Sequence, residues 1–308
     1  MQSVSVAPVY GPAPSSGSAV TLGEGSQVLS ELWSARMFAL QSYNWHSIET
    51  LETGFQLQSD QYGYFDSPCI GSPVIAPTSM AEVIPMQSSW PVFAVGFITD
   101  KTCPGNSTGP TCTFIMIAVQ LKQGAPWKIA FITAYAGAAP PPSPPSPTPP
   151  VPPQIVSAFE NSYFPEYANF LQVGFQNCAA PPAPEFSPGV FTSNQMFQGC
   201  NPPGGVSHKR TYQAVRRPFF TFTVSNGVYV GCGAISFRDV GTPTSPLFPL
   251  FQPANLSTWG PPIAPGSYSS ITLNGYHLDC MVATTSSRPT VFADQVVRIA
   301  ITGVRERP

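Results

Sequence analysis

The chain has 308 residues, of which 43% are hydrophobic and only 9% are charged, with a net charge of −2 at pH 7. This composition predicts folded cores, with solubility supplied by uncharged polar side chains as in many secreted proteins. A charge balance so close to neutral gives no general attraction to nucleic acid or to anionic lipid, and it excludes both as primary partners. No apolar run approaches the roughly 18 residues of a transmembrane segment.

Residues 1–22 are rich in Pro, Ser, Gly and Ala, and we predict a disordered tail. They lack the basic flank and apolar core of an export signal. A tail of this kind is typical of residues that follow a removed signal or anchor. We therefore predict an extracytoplasmic protein, secreted or anchored at the cell surface, whose export signal is not present in this chain. The alternative is a protein made without any export signal.

Residues 23–137 predict a first lobe in which helices precede strands. Residues 24–43 place apolar side chains near one face of a 3.6-residue repeat, which indicates a long helix. A short helix at 47–53 is expected to end at Gly54, a residue type common at helix carboxyl termini. Four antiparallel strands are expected to follow, at residues 81–86, 90–99, 113–121 and 127–134.

Residues 138–153 are dominated by proline and predict a linker. Proline has no backbone N–H to donate and fixes φ near the polyproline II value, so the segment suits neither a helix nor a sheet. We expect an extended, solvated rod between two lobes.

Residues 154–304 predict a second lobe with the same order of elements. A helix is expected up to residue 173, broken at Pro165, followed by strands. The dipeptides Asn226-Gly227 and Asn274-Gly275 predict tight hairpin turns, because such turns need residues that accept a positive φ. The strands are expected at residues 210–214, 219–224, 228–237, 269–273, 276–283 and 296–302.

The predicted fold class is α+β, with two lobes of the NTF2-like or cystatin-like kind joined by a polyproline II linker. In each lobe a helix precedes a curved antiparallel sheet. Either kind of lobe can enclose a pocket between the helix and the sheet.

Seven cysteines favour an oxidising compartment, although the number is odd. Cys103 and Cys112 bracket a turn-rich tip between two predicted strands, where a disulfide is expected. The four later cysteines allow three pairings, of which we favour Cys178–Cys200 and Cys232–Cys280. Cys69 is then left over, and the alternative is that all seven are buried thiols. No Cys-x-x-Cys pair occurs, so neither a metal site nor a cofactor is predicted.

Aromatic side chains in the first lobe provide the candidate ligand-binding residues. Trp33, Tyr43 and Trp45, together with His46, are expected to line a pocket between helix and sheet. The alternative is that the aromatic residues pack in the core.

His277 and Asp279 are two apart on a predicted strand and therefore share a face of the sheet. They are weighed as a catalytic pair against the alternative of two surface side chains. No nucleophile elbow, phosphate-binding loop or His-Glu-x-x-His motif accompanies them, and no catalytic residue is predicted.

Residues 208–217 contain the single cluster of basic residues. The cluster predicts a surface contact with an anionic polymer or headgroup through Lys209, Arg210, Arg216 and Arg217. The alternative is an edge strand that these charges protect from aggregation.

Several short motifs resemble an uncharacterised extracytoplasmic domain family of actinobacteria, whose members are often lipoproteins or membrane-anchored proteins. They lie at residues 90–95, 124–130, 167–171, 186–192 and 268–272. The resemblance implies an extracytoplasmic place and two lobes. It brings no established activity and no catalytic residues, and this chain departs from it in its long proline insert and extra cysteines.

The leading functional hypothesis is a non-catalytic binding or assembly module at the cell surface, with an unknown protein or cell-envelope partner. One alternative is a small-ligand pocket protein or an enzyme, with its site in the first lobe. Another is a structural subunit of a surface filament or layer, which would self-associate through strand edges.

Overall fold

The computed structural model describes residues 20–42, 44–63, 79–100, 112–135, 147–193, 200, 206–244, 250–252 and 266–305. These residues form a mixed α+β fold with two antiparallel sheets, one in each predicted lobe. The NTF2-like or cystatin-like assignment of each lobe stays a prediction. In the described part of the chain, no helix is both long enough and apolar enough to cross a membrane.

The first lobe contains three helices and a four-stranded sheet. Its helices are α1 (Leu22–Gln41), α2 (Trp45–Leu51) and α3 (Gly54–Gly63). Its strands β1 (Ser79–Val83), β2 (Val92–Asp100), β3 (Cys112–Gln120) and β4 (Lys128–Ala134) follow one another in the sheet. The expected long helix and all four strands are confirmed, with bounds that differ by a few residues.

Helix α1 begins where Thr21 caps it. The Thr21 hydroxyl accepts from the Glu24 N–H, and the Glu24 carboxylate accepts from the Thr21 N–H, which satisfies two otherwise free donors. Gly54 has a φ of 59° at the junction of α2 and α3, a left-handed conformation that glycine adopts without steric cost. The expected glycine cap at Gly54 is wrong, because α2 ends at Leu51 with Glu52 as its cap and Gly54 is the first residue of α3.

The second lobe begins with α4 (Pro153–Ala158), a π-helical segment (Phe159–Tyr163) and α5 (Phe164–Asn177). The break predicted at Pro165 appears as a widening of the helix just before it, since proline removes one donor from the hydrogen-bond ladder. The remaining elements are α6 (Val190–Ser193), β5 (Val206–Ser225), β6 (Val228–Pro243), β7 (Leu250–Gln252), β8 (Gly266–Thr284) and β9 (Thr290–Arg305). Strands β5, β6 and β8 are neighbours in that order, and both β7 and β9 pair with β8.

One of the two predicted Asn-Gly turns is wrong. Asn226-Gly227 does connect β5 to β6, and Gly227 has the expected positive φ of 72°. Asn274-Gly275 instead lies inside β8, at an irregularity in its pairing with β9. A Cβ atom on Gly275 would lie 2.4 Å from the Phe237 ring, so this glycine makes room for a close approach between strands rather than for a turn.

The two sheets pack face to face, with α1 and α2 outside the first sheet and α4 and α5 outside the second. Helix α3 lies beside the shared cluster, where the Phe55 ring packs against that of Tyr276. Side chains alternate along β2: Val92 and Ala94 face α1, whereas Val95 and Phe97 face the second sheet. The inner faces of both sheets form one buried cluster. Within it the ring centroids of Phe97 and Phe222 lie 6.3 Å apart. The lobes therefore share a core.

Polar contacts also join the lobes. The Thr133 hydroxyl donates to the Leu278 carbonyl oxygen at 2.7 Å, and both groups are buried. The Ala134 N–H donates to Oε1 of Gln295 at 3.0 Å. These bonds fix β4 against β8 and β9 where apolar packing alone would allow sliding.

The end of the proline-rich segment lies along the body of the protein. The backbone N–H of Thr148 donates to the Ile84 carbonyl oxygen, and the Thr148 carbonyl oxygen accepts from the Met86 N–H. Thr148 is 1% exposed. The Thr223 hydroxyl donates to the Pro149 carbonyl at 2.8 Å. At Thr148 the expected solvated rod is wrong, because the backbone pairs as a short strand would; residues 136–146 lie outside the described part.

Two disulfides are present, Cys178–Cys200 and Cys232–Cys280, the pairings favoured from the sequence. Cys232 and Cys280 are direct partners on β6 and β8, with Cα atoms 4.2 Å apart, and both are fully buried in the shared core. The expected Cys103–Cys112 bond and the leftover Cys69 lie outside what the structure describes. Disulfides of this kind suit an oxidising environment.

Candidate functional site

The most unusual polar group in the described structure is a buried cluster on the helix-facing side of the second sheet. Strand pairing places Asp279 of β8 directly opposite Asp294 of β9. His277 lies two residues before Asp279 and shares its face. Tyr167 of α5 covers the cluster from the helix layer. Two consecutive strands and a helix more than a hundred residues earlier thus converge on one point.

The cluster is connected through Asp294. Nδ1 of His277 lies 2.8 Å from Oδ1 of Asp294, and the Tyr167 hydroxyl donates to Oδ2 of Asp294 at 2.8 Å. The rings of Tyr212 and Phe237 flank the imidazole, with centroids 5.5 and 5.8 Å from it. Ring orientation and proton placement on His277 are therefore constrained from several sides.

Asp279 is the least compensated group of the cluster. It is 0% exposed, and neither of its carboxylate oxygens has a hydrogen-bond partner. Burial raises its pKa well above the ordinary value, and the nearby charge of Asp294 raises it further. Two adjacent buried carboxylates cannot both be ionised without a counter-charge, so a proton or a cation has to accompany the pair.

The donor set of the cluster also fits a metal ion. One ligand atom from each of His277, Asp279 and Asp294 lies within 4.8 Å of the others. Imidazole nitrogen and carboxylate oxygen together are ligands for zinc and related divalent ions. His277 is 3% exposed and the Asp294 side chain 2%, so the cluster is closed to substrates in this conformation.

The sequence predicted part of this cluster. His277 and Asp279 do share a face, but the alternative of two surface side chains is wrong because that face packs under α5. Asp294 and Tyr167 were missed. The available signal for Asp294 was an acidic residue next to the apolar Val291 and Ala293 in a strand. Only the register of β8 and β9 identifies Asp279 as its partner.

No family model matches this chain, and no curated protein matches it either. Its function is therefore inferred from its own residues.

The predicted pocket residues of the first lobe are not gathered around one cavity in the described structure. Trp33 is buried in the core beneath α1, and Trp45 is half-buried beside the same core. The His46 side chain is 84% exposed, with Nδ1 3.7 Å from a carboxylate oxygen of Glu49. Tyr43 lies outside the described residues. Trp33 therefore follows the core-packing alternative.

The structure exposes three of the four residues predicted to form the basic surface contact and turns the fourth inward. Lys209, Arg216 and Arg217 are exposed along β5. The Arg210 side chain is only 13% exposed, because its Nη2 binds Oδ2 of Asp239 at 2.7 Å. Its guanidinium carbon also lies 4.2 Å from the centre of the Phe175 ring. Period-two alternation along the strand places Arg210 on the inner face, so its predicted surface role is wrong.

The edge of β5 is covered at Arg210 and Tyr212. The Gln172 side chain of α5 donates to the Arg210 carbonyl at 2.8 Å and accepts from the Tyr212 N–H at 3.1 Å. These are backbone groups that a further strand would otherwise use.

An open groove runs between α5 and residues 181–185, a second short stretch that contains three prolines. We call it the α5 groove; it has a volume of about 680 Å³. Glu166 and Glu185 bring two carboxylates to it, and Phe170 and Val173 supply apolar surface. Partial burial raises the pKa of Glu166, and the charge of Glu185 adds to the rise. The groove is thus an acidic concavity with an apolar wall.

Proposed function

We propose that the chain is a non-catalytic binding module of the extracytoplasmic space and that its ligand site is the α5 groove. The observation that supports this most is the contrast between the two candidate sites. The α5 groove is open to solvent, whereas the cluster around His277 is closed by α5. A group that solvent cannot reach in the resting structure is poorly placed to act on a substrate.

The chemistry of the α5 groove suits a cationic ligand. Glu166 and Glu185 repel one another and are relieved by a positive charge between them. Phe170 and the prolines of residues 181–185 offer a surface for the aliphatic stem of a lysine or arginine. A volume of about 680 Å³ lies within the range of ordinary ligand sites. The ligand we propose is therefore an extended protein segment that carries basic side chains.

The extracytoplasmic setting is supported by the two disulfides, because such bonds persist in oxidising compartments. The competing hypothesis of a filament subunit is less well supported. Self-association through the edge of β5 would have to displace the two hydrogen bonds of Gln172.

A matched pair of variants tests the proposal. E166Q/E185Q removes both groove carboxylates, and E31Q/E49Q removes two exposed carboxylates from α1 and α2 with the same change in net charge. The probe is a fluorescein-labelled peptide of alternating lysine and proline, and the readout is fluorescence anisotropy at about 150 mM salt, where non-specific surface attraction is screened.

We expect E166Q/E185Q to weaken peptide binding about tenfold, since it loses both of the carboxylates that attract the basic side chains. E31Q/E49Q should bind as the unchanged chain does. Equal weakening in both variants would mean non-specific attraction, and an unchanged affinity in E166Q/E185Q would place the ligand elsewhere. Turnover of any substrate that H277Q abolishes would contradict the non-catalytic part of the proposal.

A further inference from the structure

We propose that His277, Asp279 and Asp294 bind one zinc ion, which holds β8, β9 and α5 together. The proposal concerns stability of the second lobe and is independent of the α5 groove. It starts from the convergence of one nitrogen and two carboxylates within 4.8 Å. Strand register, rather than flexible loops, sets that convergence, so the ligands are held in advance of the ion.

The free oxygens of Asp279 are an independent observation that points to an ion. A fully buried carboxylate normally has hydrogen-bond donors or a basic side chain beside it, whereas no group donates a hydrogen bond to either oxygen of Asp279 and its neighbour is a second acid, Asp294. The buried carboxylate of Asp239, by contrast, has a basic side chain beside it, with Nη2 of Arg210 2.7 Å from its Oδ2. A cation at Asp279 would supply the charge that no hydrogen bond supplies there.

The partners around Asp294 match a first ligand shell with a second shell behind it. Zinc bonds of about 2.0–2.1 Å at the tetrahedral angle separate two ligand atoms by about 3.3 Å, somewhat more than a hydrogen bond does. Oδ1 of Asp294 and Nδ1 of His277 are 2.8 Å apart, and a zinc ion between them would replace the hydrogen bond that joins these two atoms. The Tyr167 hydroxyl binds Oδ2 of Asp294. Hydrogen bonds of this kind orient ligating carboxylates and histidines in known metal sites.

The closed surroundings favour a structural ion over an exchangeable one. Asp279 can bind through both of its oxygens, which would complete a four-coordinate shell from protein atoms alone. The described residues bury all three side chains, so the ion would enter as the lobe folds. The mixed nitrogen and oxygen donors favour zinc over calcium or magnesium, which prefer oxygen alone.

The test is a refolding experiment on the full chain with its disulfides intact. The protein is unfolded in guanidinium with a chelator, freed of metal, and refolded with zinc, with calcium or with chelator alone. Bound metal is measured by inductively coupled plasma mass spectrometry, and the midpoint of thermal unfolding is measured by circular dichroism.

D279N and H277Q remove a ligand each with little change in shape. H46Q is the matched control, because it removes a histidine whose side chain is exposed. Y167F removes the hydroxyl that donates to Oδ2 of Asp294 at 2.8 Å and lies 3.4 Å from the Phe191 carbonyl oxygen, and it is predicted to act as a positioning change.

We expect the unchanged chain and H46Q to retain one zinc per molecule and to melt about 5 °C or more higher with zinc than with chelator. D279N and H277Q should refold but hold no stoichiometric zinc and show no zinc-dependent shift. Y167F should lower zinc affinity about tenfold. Zinc binding that survives D279N and H277Q, or one equivalent of calcium in place of zinc, would overturn the proposal. So would an unchanged chain that refolds without metal and melts identically in zinc and chelator.

Discussion

At the scale of single residues, buried charges are treated in two ways in this protein. Asp239 and Glu52 each have an arginine bonded to them, at 2.7 Å in both cases. Asp279 lacks any such bond, although it is as deeply buried as Glu52. The two ion pairs, Asp239 with Arg210 and Glu52 with Arg36, stabilise the fold only while both of their charges persist. They are therefore sensitive to pH and to the loss of one partner.

Asp239 makes part of the stability dependent on pH. Burial by itself would raise its pKa, but the hydrogen bond from His208 and the charge of Arg210 outweigh burial and lower it. The folded pKa thus lies below the unfolded value of about 3.9. The stabilisation is present above that value and is lost as the pH falls through the folded pKa.

We predict that D239N will lose less free energy of unfolding between about pH 5 and about pH 3 than the unchanged chain does, because the amide does not titrate. Urea denaturation at the two pH values measures this difference. E49Q, which changes an exposed acid, serves as the control. Equal losses for D239N and the unchanged chain would contradict the role of Asp239.

Arg36 holds two acids together in the first lobe. Its Nε binds Oε1 of Glu52 at 2.7 Å, and its Nη2 binds Oδ2 of Asp60 at 2.6 Å. Burial opposes the charge of Arg36, yet the two carboxylates raise its pKa above the ordinary value. We predict that R36M will reduce the free energy of unfolding by about 3–5 kcal/mol, because Glu52 is left buried without its cation.

The double variant R36M/E52Q gives the control for Arg36. It should recover part of the loss, since the buried carboxylate that R36M leaves behind is replaced by a neutral amide. Urea denaturation at neutral pH measures both variants. Equal stability of R36M and R36M/E52Q would show that the ion pair is not the cause of the loss.

At the scale of elements, local pattern predicted what local forces decide. The periodicity of α1, the four strands of the first sheet and the turn at Asn226-Gly227 follow from neighbouring residues, and all are present. Asn274-Gly275 carries the same local signal but lies inside β8. There the packing of Phe237 against the strand decides the structure, and this contact is invisible in a local window.

The candidate sites show the same division. The shared face of His277 and Asp279 follows from the period of a strand. Asp294 joins them only through the β8–β9 register, which contains an irregularity at Cys280 and Met281. Tyr167 arrives from more than a hundred residues away in sequence. Such contacts depend on tertiary packing, and spacing alone does not predict them.

Gly275 provides a test at this scale. A Cβ atom there would lie 2.3 Å from the Val297 carbonyl oxygen and 2.4 Å from the Phe237 ring. We predict that G275A will reduce the free energy of unfolding by about 2 kcal/mol or more. The Val297 carbonyl belongs to the backbone of the paired strand β9, so it cannot move away from an added methyl group as a flexible side chain would. Urea denaturation measures this, and comparable stability in G275A would contradict the close approach.

The control is Gly23 in the first turn of α1, where an added Cβ atom would have no other atom within 4 Å. G23A should leave stability unchanged or raise it slightly, since alanine loses less conformational entropy than glycine in a helix.

At the scale of the whole molecule, the two lobes form one body. Each sheet has one face against its own helices and the other against its neighbour's sheet. Separation of the lobes would expose the large rings of Phe97, Phe131 and Phe222, each fully or almost fully buried. Burial of one such side chain contributes about 1.5–3 kcal/mol, so the separated state is strongly disfavoured.

We predict that the chain unfolds in a single calorimetric transition in spite of its two lobes and proline-rich segment. F222A should lower the midpoint of that transition without splitting it, because Phe222 belongs to the core that both sheets share. Two resolved transitions in the unchanged chain would contradict a shared core.

The α5 groove lies on the outer side of this body, beside the helix layer of the second lobe. A rigid frame behind an open acidic groove is suited to hold a partner without reorganising, which reduces the entropic cost of binding. The binding role proposed for the chain therefore depends on where a basic ligand makes contact.

The most direct test of that role is nuclear magnetic resonance of the ¹⁵N-labelled chain, titrated with the lysine and proline peptide. We predict that amide shifts concentrate at the residues of the α5 groove that have an N–H, which are Asn161, Ser162, Glu166, Asn169, Phe170, Val173, Ala183 and Glu185. Shifts that cluster around the exposed acids of α1 and α2, or that spread evenly over the surface, would contradict the α5 groove as the binding site.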